Sequence, residues 1–353
     1  MKLTPFERGF GMNGVSAVLI TKNEAKVIAR CIKSLQGLDQ VVVHDTGSTD
    51  DTVRIAKALG ADVSETRIEP FHFAKARNEA MMRARNRWIL SMDADEVLRE
   101  GSLGPLLGTA RNFSLAAYQV GYENRAEEGG TARMIPRLLL FQKGRWAWRY
   151  RIHERLAPLL PPAKVGRLLE CVIEHHPDPD KSARRAQNLE LLKLCVEENP
   201  EYFDASRQLG LEYVLLERWE DAIPHLEVHV RQPVDPADAP FERVASRMQL
   251  AKCFARIGDF GRAVQEFETA ASEAPFRREP LYWAAMEFIR AGHPWDAIVW
   301  LEKCIKISPD HMPEFSLYSK KLQEGLAETT MLDCQAMIDQ AKADYEAQKG
   351  RAG

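Results

Sequence analysis

Apolar positions in the first hundred residues alternate between short unbroken runs and a helical period. Val15-Ser-Ala-Val-Leu-Ile20 reads as a strand, and after Thr21-Lys-Asn-Glu24 the residues Val27, Ile28, Cys31, Ile32 and Leu35 recur at helical spacing. Val41-Val-Val43 predicts a second strand ending in His44-Asp-Thr-Gly-Ser48. A helix capped near Asp50 follows, with Val53, Ile55, Ala56 and Leu59 as its apolar positions and Gly60 as its stop. A β-like segment over 61–66, a helix over about 74–85 and the strand Trp88-Ile-Leu-Ser-Met92 complete the series. Repeated strand–helix–strand units predict a mostly parallel sheet covered by helices, with ligands at the carboxyl ends of its strands.

From about residue 181 the pattern becomes purely helical. Glu217-Arg-Trp-Glu-Asp-Ala-Ile223, Gly258-Asp-Phe-Gly-Arg-Ala-Val264 and Gly292-His-Pro-Trp-Asp-Ala-Ile298 resemble one another, and their alanines at 222, 263 and 297 are spaced by 41 and 34. The second spacing is the period of tetratricopeptide helix pairs, and the first is that period with a seven-residue insertion, placed in the Pro-rich loop 232–240. Leu209-Gly-x-x-Tyr213 and Pro309 fit the same repeat, whose small alanine admits close helix approach and whose preceding aromatic fills the gap between pairs. A helix over about 330–348 would cap the stack. The expected domains are therefore 1–180 and 181–353.

Charge sharpens that division. The 353-residue chain has a net charge of −3, yet residues 1–180 carry +4 and the remainder −7. The overall balance makes nucleic acid an unlikely partner. No apolar run reaches the ~18–20 residues of a membrane span, and Glu7 and Arg8 interrupt any signal-peptide pattern. The six cysteines are scattered, without a Cys-x-x-Cys, as expected of reduced thiols in the cytoplasm. Membrane association would be peripheral at most, on the inner face.

Chemistry concentrates after the strands. Asp93-Ala-Asp-Glu96 follows Trp88–Met92, where hard carboxylate oxygens suit Mg²⁺ or Mn²⁺ or a ribose. Asp45-Thr-Gly-Ser-Thr-Asp-Asp51 and Thr21-Lys-Asn-Glu24 end the neighbouring strands, so all three loops would share one sheet edge. Asp45 would accept a hydrogen bond from a nucleobase or ribose. Gly9-Phe-Gly-Met-Asn-Gly14 formally matches a dinucleotide fingerprint, but it precedes the first strand and is expected to be a flexible lead-in.

Ser16-Ala-Val-Leu-Ile-Thr-Lys-Asn-Glu24, Asp45-x-Gly-Ser-x-Asp-Asp-Thr52, Phe73-x-x-Ala-Arg-Asn78 and Trp88-Ile-Leu-x-x-Asp-Ala-Asp-Glu96 together resemble the family 2 glycosyltransferases of the GT-A fold. Arg137-Leu-x-Leu-Phe141, Ile152-His-Glu154 and Ile173-Glu-His175 narrow the resemblance to the bacterial branch that fuses this domain to C-terminal tetratricopeptide repeats. The resemblance implies an α/β, Rossmann-like GT-A domain. It also implies inverting sugar transfer from a nucleotide-sugar, usually a uridine diphosphate donor, with Mn²⁺ or Mg²⁺. On it, Thr21, Asn23, Glu24, Asp45, Ser48, Arg77 and Asp93 would bind the donor, with Arg77 on the phosphates or orienting Asp93. Asp95 would hold the metal with His175, for which His153 is the rival, and Asn78 is a further donor-side candidate. His176 reads as turn material beside Pro177. Glu154 would be the base that deprotonates the acceptor, although the motif reads His-Glu rather than the family's Glu-Asp pair. A domain ending near 180 is also compact for this fold.

The stretch 131–155 holds seven basic residues (Arg133, Arg137, Lys143, Arg145, Arg149, Arg151, Arg155) against one acid, Glu154, with Trp146, Trp148 and Tyr150 among them. Arginines meet anions in bidentate fashion and sugars stack on aromatics, which suits an acceptor groove gripping an anionic glycan, lipid headgroup or peptide. Aromatics among arginines also suit a nucleic-acid surface, and the resemblance favours an acceptor wall, for a peptide, a protein or a cell-envelope glycan. The repeats would offer a surface to a protein partner. The competing reading is an inactive glycosyltransferase-like domain on a repeat scaffold. A nucleotidyltransferase would want glycines after the first strand, and an aspartyl-phosphate hydrolase an Asp there; neither is present.

Overall fold

The computed structural model describes residues 11–111, 114–125, 134–160, 163–176, 185–232, 242–308 and 325–351. Gly9, Arg133, Pro177, Pro309 and the loop residues 233–240 singled out above lie outside them. The chain divides into two compact units, Met1–Cys195 and Val196–Gly353; the expectation from the sequence was a division at 180.

The first unit is an eight-stranded sheet in the order β3-β2-β1-β4-β7-β6-β10-β5. Its parallel half comprises β3 (Asp62–Glu65), β2 (Gln40–Asp45), β1 (Gly11–Thr21) and β4 (Asn86–Asp93). The other half adds β7 (Met134–Gln142), antiparallel to both β4 and β6 (Ala117–Asn124). Beyond them, β10 (Val165–His175) runs parallel to β6 and antiparallel to β5 (Glu96–Leu98). A separate hairpin joins β8 (Trp146–Arg149) to β9 (Arg155–Pro158).

Why the central strands are unbroken apolar runs follows from what covers them. Ala17 and Leu19 pack with Cys31 and Leu35 of α1 and its flank (α1, Ile28–Ser34), and with Leu106 of α4. Helix α4 spans Leu103–Thr109. Val18 and Ile89 face the opposite side, against Ala80 and Met81 of α3 (Phe73–Arg83). Successive side chains of a strand point to opposite faces, so a strand buried on both faces is apolar at most positions, and a buried polar exception such as Ser16 is hydrogen-bonded, here to Gln40. The short α2 (Thr52–Ala58) buries Ala56 beside Val43, and α5 (Arg185–Glu198) carries buried Leu191, Leu192 and Cys195.

Strand β1 begins earlier than the sequence suggested. Gly11 and Gly14 lie inside it rather than in a flexible lead-in, a correction with a steric reason: a Cβ on Gly14 would run into the Asn86 amide and the Asp39 carboxylate. That carboxylate accepts the Val15 N–H at 3.0 Å.

The second unit contains the helix pairs α6/α7 (Phe203–Leu215, Trp219–Val230), α8/α9 (Glu242–Arg256, Phe260–Glu273) and α10/α11 (Glu279–Arg290, Pro294–Ile305). Helix α12 (Leu326–Arg351) packs on α11. The repeat alanines Ala222, Ala263 and Ala297 are buried. Phe260 fills the gap to the next pair by stacking on Phe288 at 5.8 Å, and Trp219 lies under Arg256 of the following helix. Trp295 departs from the repeat rule: it is 58% exposed. No helix among the described residues is long and apolar enough to cross a membrane.

Candidate active site

Registry brings the three chemistry-bearing loops together. Thr21 pairs with Asp45 across β1/β2, and Ile20 pairs with Asp93 across β1/β4, so the ends of β2, β1 and β4 stand side by side. They border a cleft of about 350 Å³ lined by Thr21, Asn23, Glu24, Phe71, Phe73, Arg77, Asp93, Asp95 and His175, with Asn188 and Leu191 from α5. A second cleft of about 530 Å³ adjoins it, lined among others by Glu96, Arg137, Trp148, Ile152, His153 and Glu154. Phe73, Arg77, Asp93 and Asn188 line both.

Arg77 is the junction. Its Nε donates to Glu154 Oε1 at 2.6 Å and its Nη2 to Asp93 Oδ1 at 2.8 Å, while its guanidinium lies 4.9 Å from the Trp148 ring centroid. Burial works against its charge, and the two carboxylates more than compensate, so its pKa is raised. Helix α3 aims it there: the His72 ring accepts the Lys75 N–H at the helix start, and Ala74 and Ala80, a turn before and after Arg77 on the same face, are buried. Asn78, the next residue, lines neither cleft. Its amide donates to Trp148 O and accepts from Trp148 N, both at 2.9 Å, which ties β8 to α3.

Asp95 is nearly buried, and its Oδ2 lies 3.4 Å from His175 Nε2. The backbone fixes this pair. His175 registers with Glu96 across β10/β5, His176 N donates to Asp95 O at 3.0 Å, and Asn124 Oδ1 lies 3.1 Å from His175 Nδ1. The hydrogen bond to Asp95 raises the His175 pKa against the opposing effect of burial. His153 stands apart, in the second cleft, with a left-handed φ of 51°. Of the two histidines, His175 is therefore the one beside Asp95. A buried carboxylate with an imidazole fits Mn²⁺ or Mg²⁺, which take one or two protein ligands and complete their shell with water and substrate phosphates. Elsewhere, ligand atoms of Asp204, His229 and Glu242 lie within 4.8 Å of one another in the repeats. Asp204 is also 3.8 Å from Arg207 there, as in an ordinary charge cluster.

Asp45 organises its loop instead of facing the cleft. It is 1% exposed and accepts from Thr21 Oγ1, Gly47 N, Ser48 N and Ser48 Oγ. Ser48 in turn accepts the Asn23 N–H, and Asn23, at φ 57°, accepts from Thr49 N. Thr21, Asn23 and Glu24 thus reach the cleft wall, held by Asp45 and Ser48 from behind the loop.

Some residues in or behind the cleft walls were not singled out from the sequence. Glu96 accepts the Asp93 N–H at 2.8 Å, and burial, followed by the Asp93 charge, pushes its carboxyl up to about 7. Tyr122 is hydrogen-bonded to Glu96, lies under Arg137 at 4.3 Å and stacks on His175. Glu96 was visible in the acidic run, whereas nothing around Tyr122 or Asn188 marked them.

Residues 16–161 match the family model for glycosyl transferase family 2. An uncharacterized glycosyltransferase of Rickettsia felis is 46% identical over 89 residues, covering 25% of this chain and 30% of that protein. The SPbeta prophage-derived glycosyltransferase SunS of Bacillus subtilis is 27% identical over 225 residues, 60% of this chain and 52% of SunS. A TPR repeat-containing protein of Synechococcus elongatus is 41% identical over 91 residues, 26% of this chain and 22% of its own. The chain thus spans about half of SunS and under a third of the other two. The likeness to the family 2 glycosyltransferases is thus confined to residues 16–161 in the family model.

Proposed function

We propose that the protein transfers a sugar, with inversion, from a nucleotide-sugar bound in the 350 Å³ cleft to an acceptor bound in the 530 Å³ cleft. The observation that carries this reading is the Arg77 bridge, which joins the Asp93 carboxylate at the end of β4 to the Glu154 carboxylate in the neighbouring cleft. A uridine diphosphate donor is the favoured class, from the resemblance to the family.

Thr21, Asn23 and Glu24 border the nucleotide, and Asp93 takes the ribose. When bound, Mn²⁺ or Mg²⁺ held by Asp95 and His175 would act as a Lewis acid on the leaving diphosphate. Arg77 meets the negative charge that develops as the bond between the anomeric carbon and the diphosphate oxygen breaks, a role for which a preorganised, buried cation is suited. Glu154 takes the proton from the acceptor as its oxygen or other nucleophilic atom attacks the opposite face of the sugar. The acceptor is a peptide, protein or cell-envelope glycan, and the repeats offer a surface to a protein partner. Six buried cysteines, none of them in a disulfide, support a reducing compartment, the cytoplasm.

Thermal unfolding with uridine, guanosine, cytidine, thymidine and adenosine diphosphates, each with Mn²⁺, Mg²⁺ or chelator, tests the donor half. A ligand at 100 times its dissociation constant stabilises by about 2.7 kcal/mol. One nucleotide is expected to raise the melting temperature only with metal, and Asp95→Ala to remove the effect. No shift with any nucleotide would shift the reading to an inactive scaffold.

A further inference from the structure

We infer that the acceptor carries an anionic group, a carboxylate or a phosphate, and that Arg137 is its binding residue. The inference rests on the donor and acceptor reading above and deepens its acceptor half.

The second cleft contains both signs of charge, but they are not equally committed. Asp93 and Glu154 are both paired with Arg77. Glu96 accepts from the Asp93 N–H and is hydrogen-bonded to Tyr122. Arg137 differs. Among the described residues no carboxylate lies within ion-pair distance of its guanidinium, although Glu96 feels its charge from further off. What holds it is the Tyr122 ring, 4.3 Å away. Stacking engages the face of a guanidinium and leaves its edge donors free for a planar or tetrahedral anion in bidentate geometry.

Its place in the fold makes this a substrate contact. Arg137 sits in β7, opposite Val120 of β6, and lines the second cleft but not the first, whose wall carries Thr21, Asn23 and Thr46. An anion at Arg137 therefore lies on the acceptor side of Asp93. Leu139, Trp148 and Ile152 supply apolar wall beside it, so the cleft suits a ligand with one charged end and a less polar body. Tyr122 also stacks on His175 at 6.1 Å, which fixes the ring that presents Arg137.

The test saturates the first cleft with the nucleoside diphosphate and metal that the thermal panel selects. The second cleft is then titrated by calorimetry with two matched probes, glucose and glucose 6-phosphate. The charged probe is expected to bind at least tenfold more tightly. Arg137→Met should erase that preference and Arg137→Lys retain part of it; nucleotide binding in the same samples reports that the fold is intact. Equal binding of the two probes, binding of neither, or a preference that survives Arg137→Met overturns the inference. A preference found only between glucuronate- and glucose-bearing sugar nucleotides puts the anion on the donor and also overturns it. Absence of any nucleotide binding counts against the donor reading instead, and is seen before the sugars are added.

Discussion

Arg77 illustrates how much depends on one guanidinium. Its side chain is 12% exposed and its two carboxylate partners come from β4 and from the segment before β9. Removing one member of a buried ion pair strands the others, at a cost of about 3–5 kcal/mol. Asp93 is half exposed, so Arg77→Ala is expected to cost about 3 kcal/mol, the lower end, measured by urea unfolding. His175 gives a pH prediction. Its pKa is raised by the Asp95 hydrogen bond, and a metal must displace the proton that Asp95 stabilises. Mn²⁺ affinity is therefore expected to fall with decreasing pH, by up to about tenfold per unit below that raised pKa. In the metal-free protein the same shift works in the opposite direction: the stability it contributes is full below the unfolded pKa and lost as pH rises through the folded one. Affinity that rises on acidification would contradict the pairing. At this scale the sequence named Asp93, Asp95, Arg77, Glu154 and His175, because each sits in a short motif. It could not say that the Asp45 carboxylate is engaged by four loop donors, since hydrogen-bond partners are chosen by folded geometry.

The elements were legible in proportion to how completely they are buried. Strands β1, β2 and β4 have both faces covered and announce themselves as continuous apolar runs. Strand β7 was visible only as the motif around Arg137. Its first half is exposed, at Met134, Ile135, Pro136 and Arg137, and its second half is buried, so it shows neither an unbroken run nor a clean alternation. The helical repeats were readable through their period, and their turns suggest a stabilising change. Gly258 and Gly292 occupy the α8/α9 and α10/α11 turns with φ of 84° and 80°, and Glu217 takes the equivalent place between α6 and α7 with φ 57°. A side chain pays about 1–2 kcal/mol there, partly offset by the extra freedom that glycine loses on folding. Glu217→Gly is expected to raise stability by about 0.5–1 kcal/mol in denaturant unfolding; a loss would mean that the Glu217 side chain holds the turn by a contact that outweighs its backbone strain.

For the whole molecule, the change of period near residue 181 and the charge contrast marked two units, and the chain does divide into two. The division falls after Cys195 because α5 contributes Asn188 and Leu191 to the cleft wall of the first unit. A helical period alone assigns such a helix to its helical neighbours, since periodicity does not reveal which core it joins. The proposed transfer requires the two clefts to share one reaction across Arg77 and Asp93. The most direct measurement is nucleoside diphosphate release from a panel of sugar nucleotides with Mn²⁺, with water or added acceptor taking the sugar, in the wild-type chain and in Asp95→Ala. One sugar nucleotide is expected to be turned over, with release falling to background in Asp95→Ala while the variant stays folded. Release that continues undiminished in Asp95→Ala, or none from any sugar nucleotide by a folded wild-type protein, would contradict it.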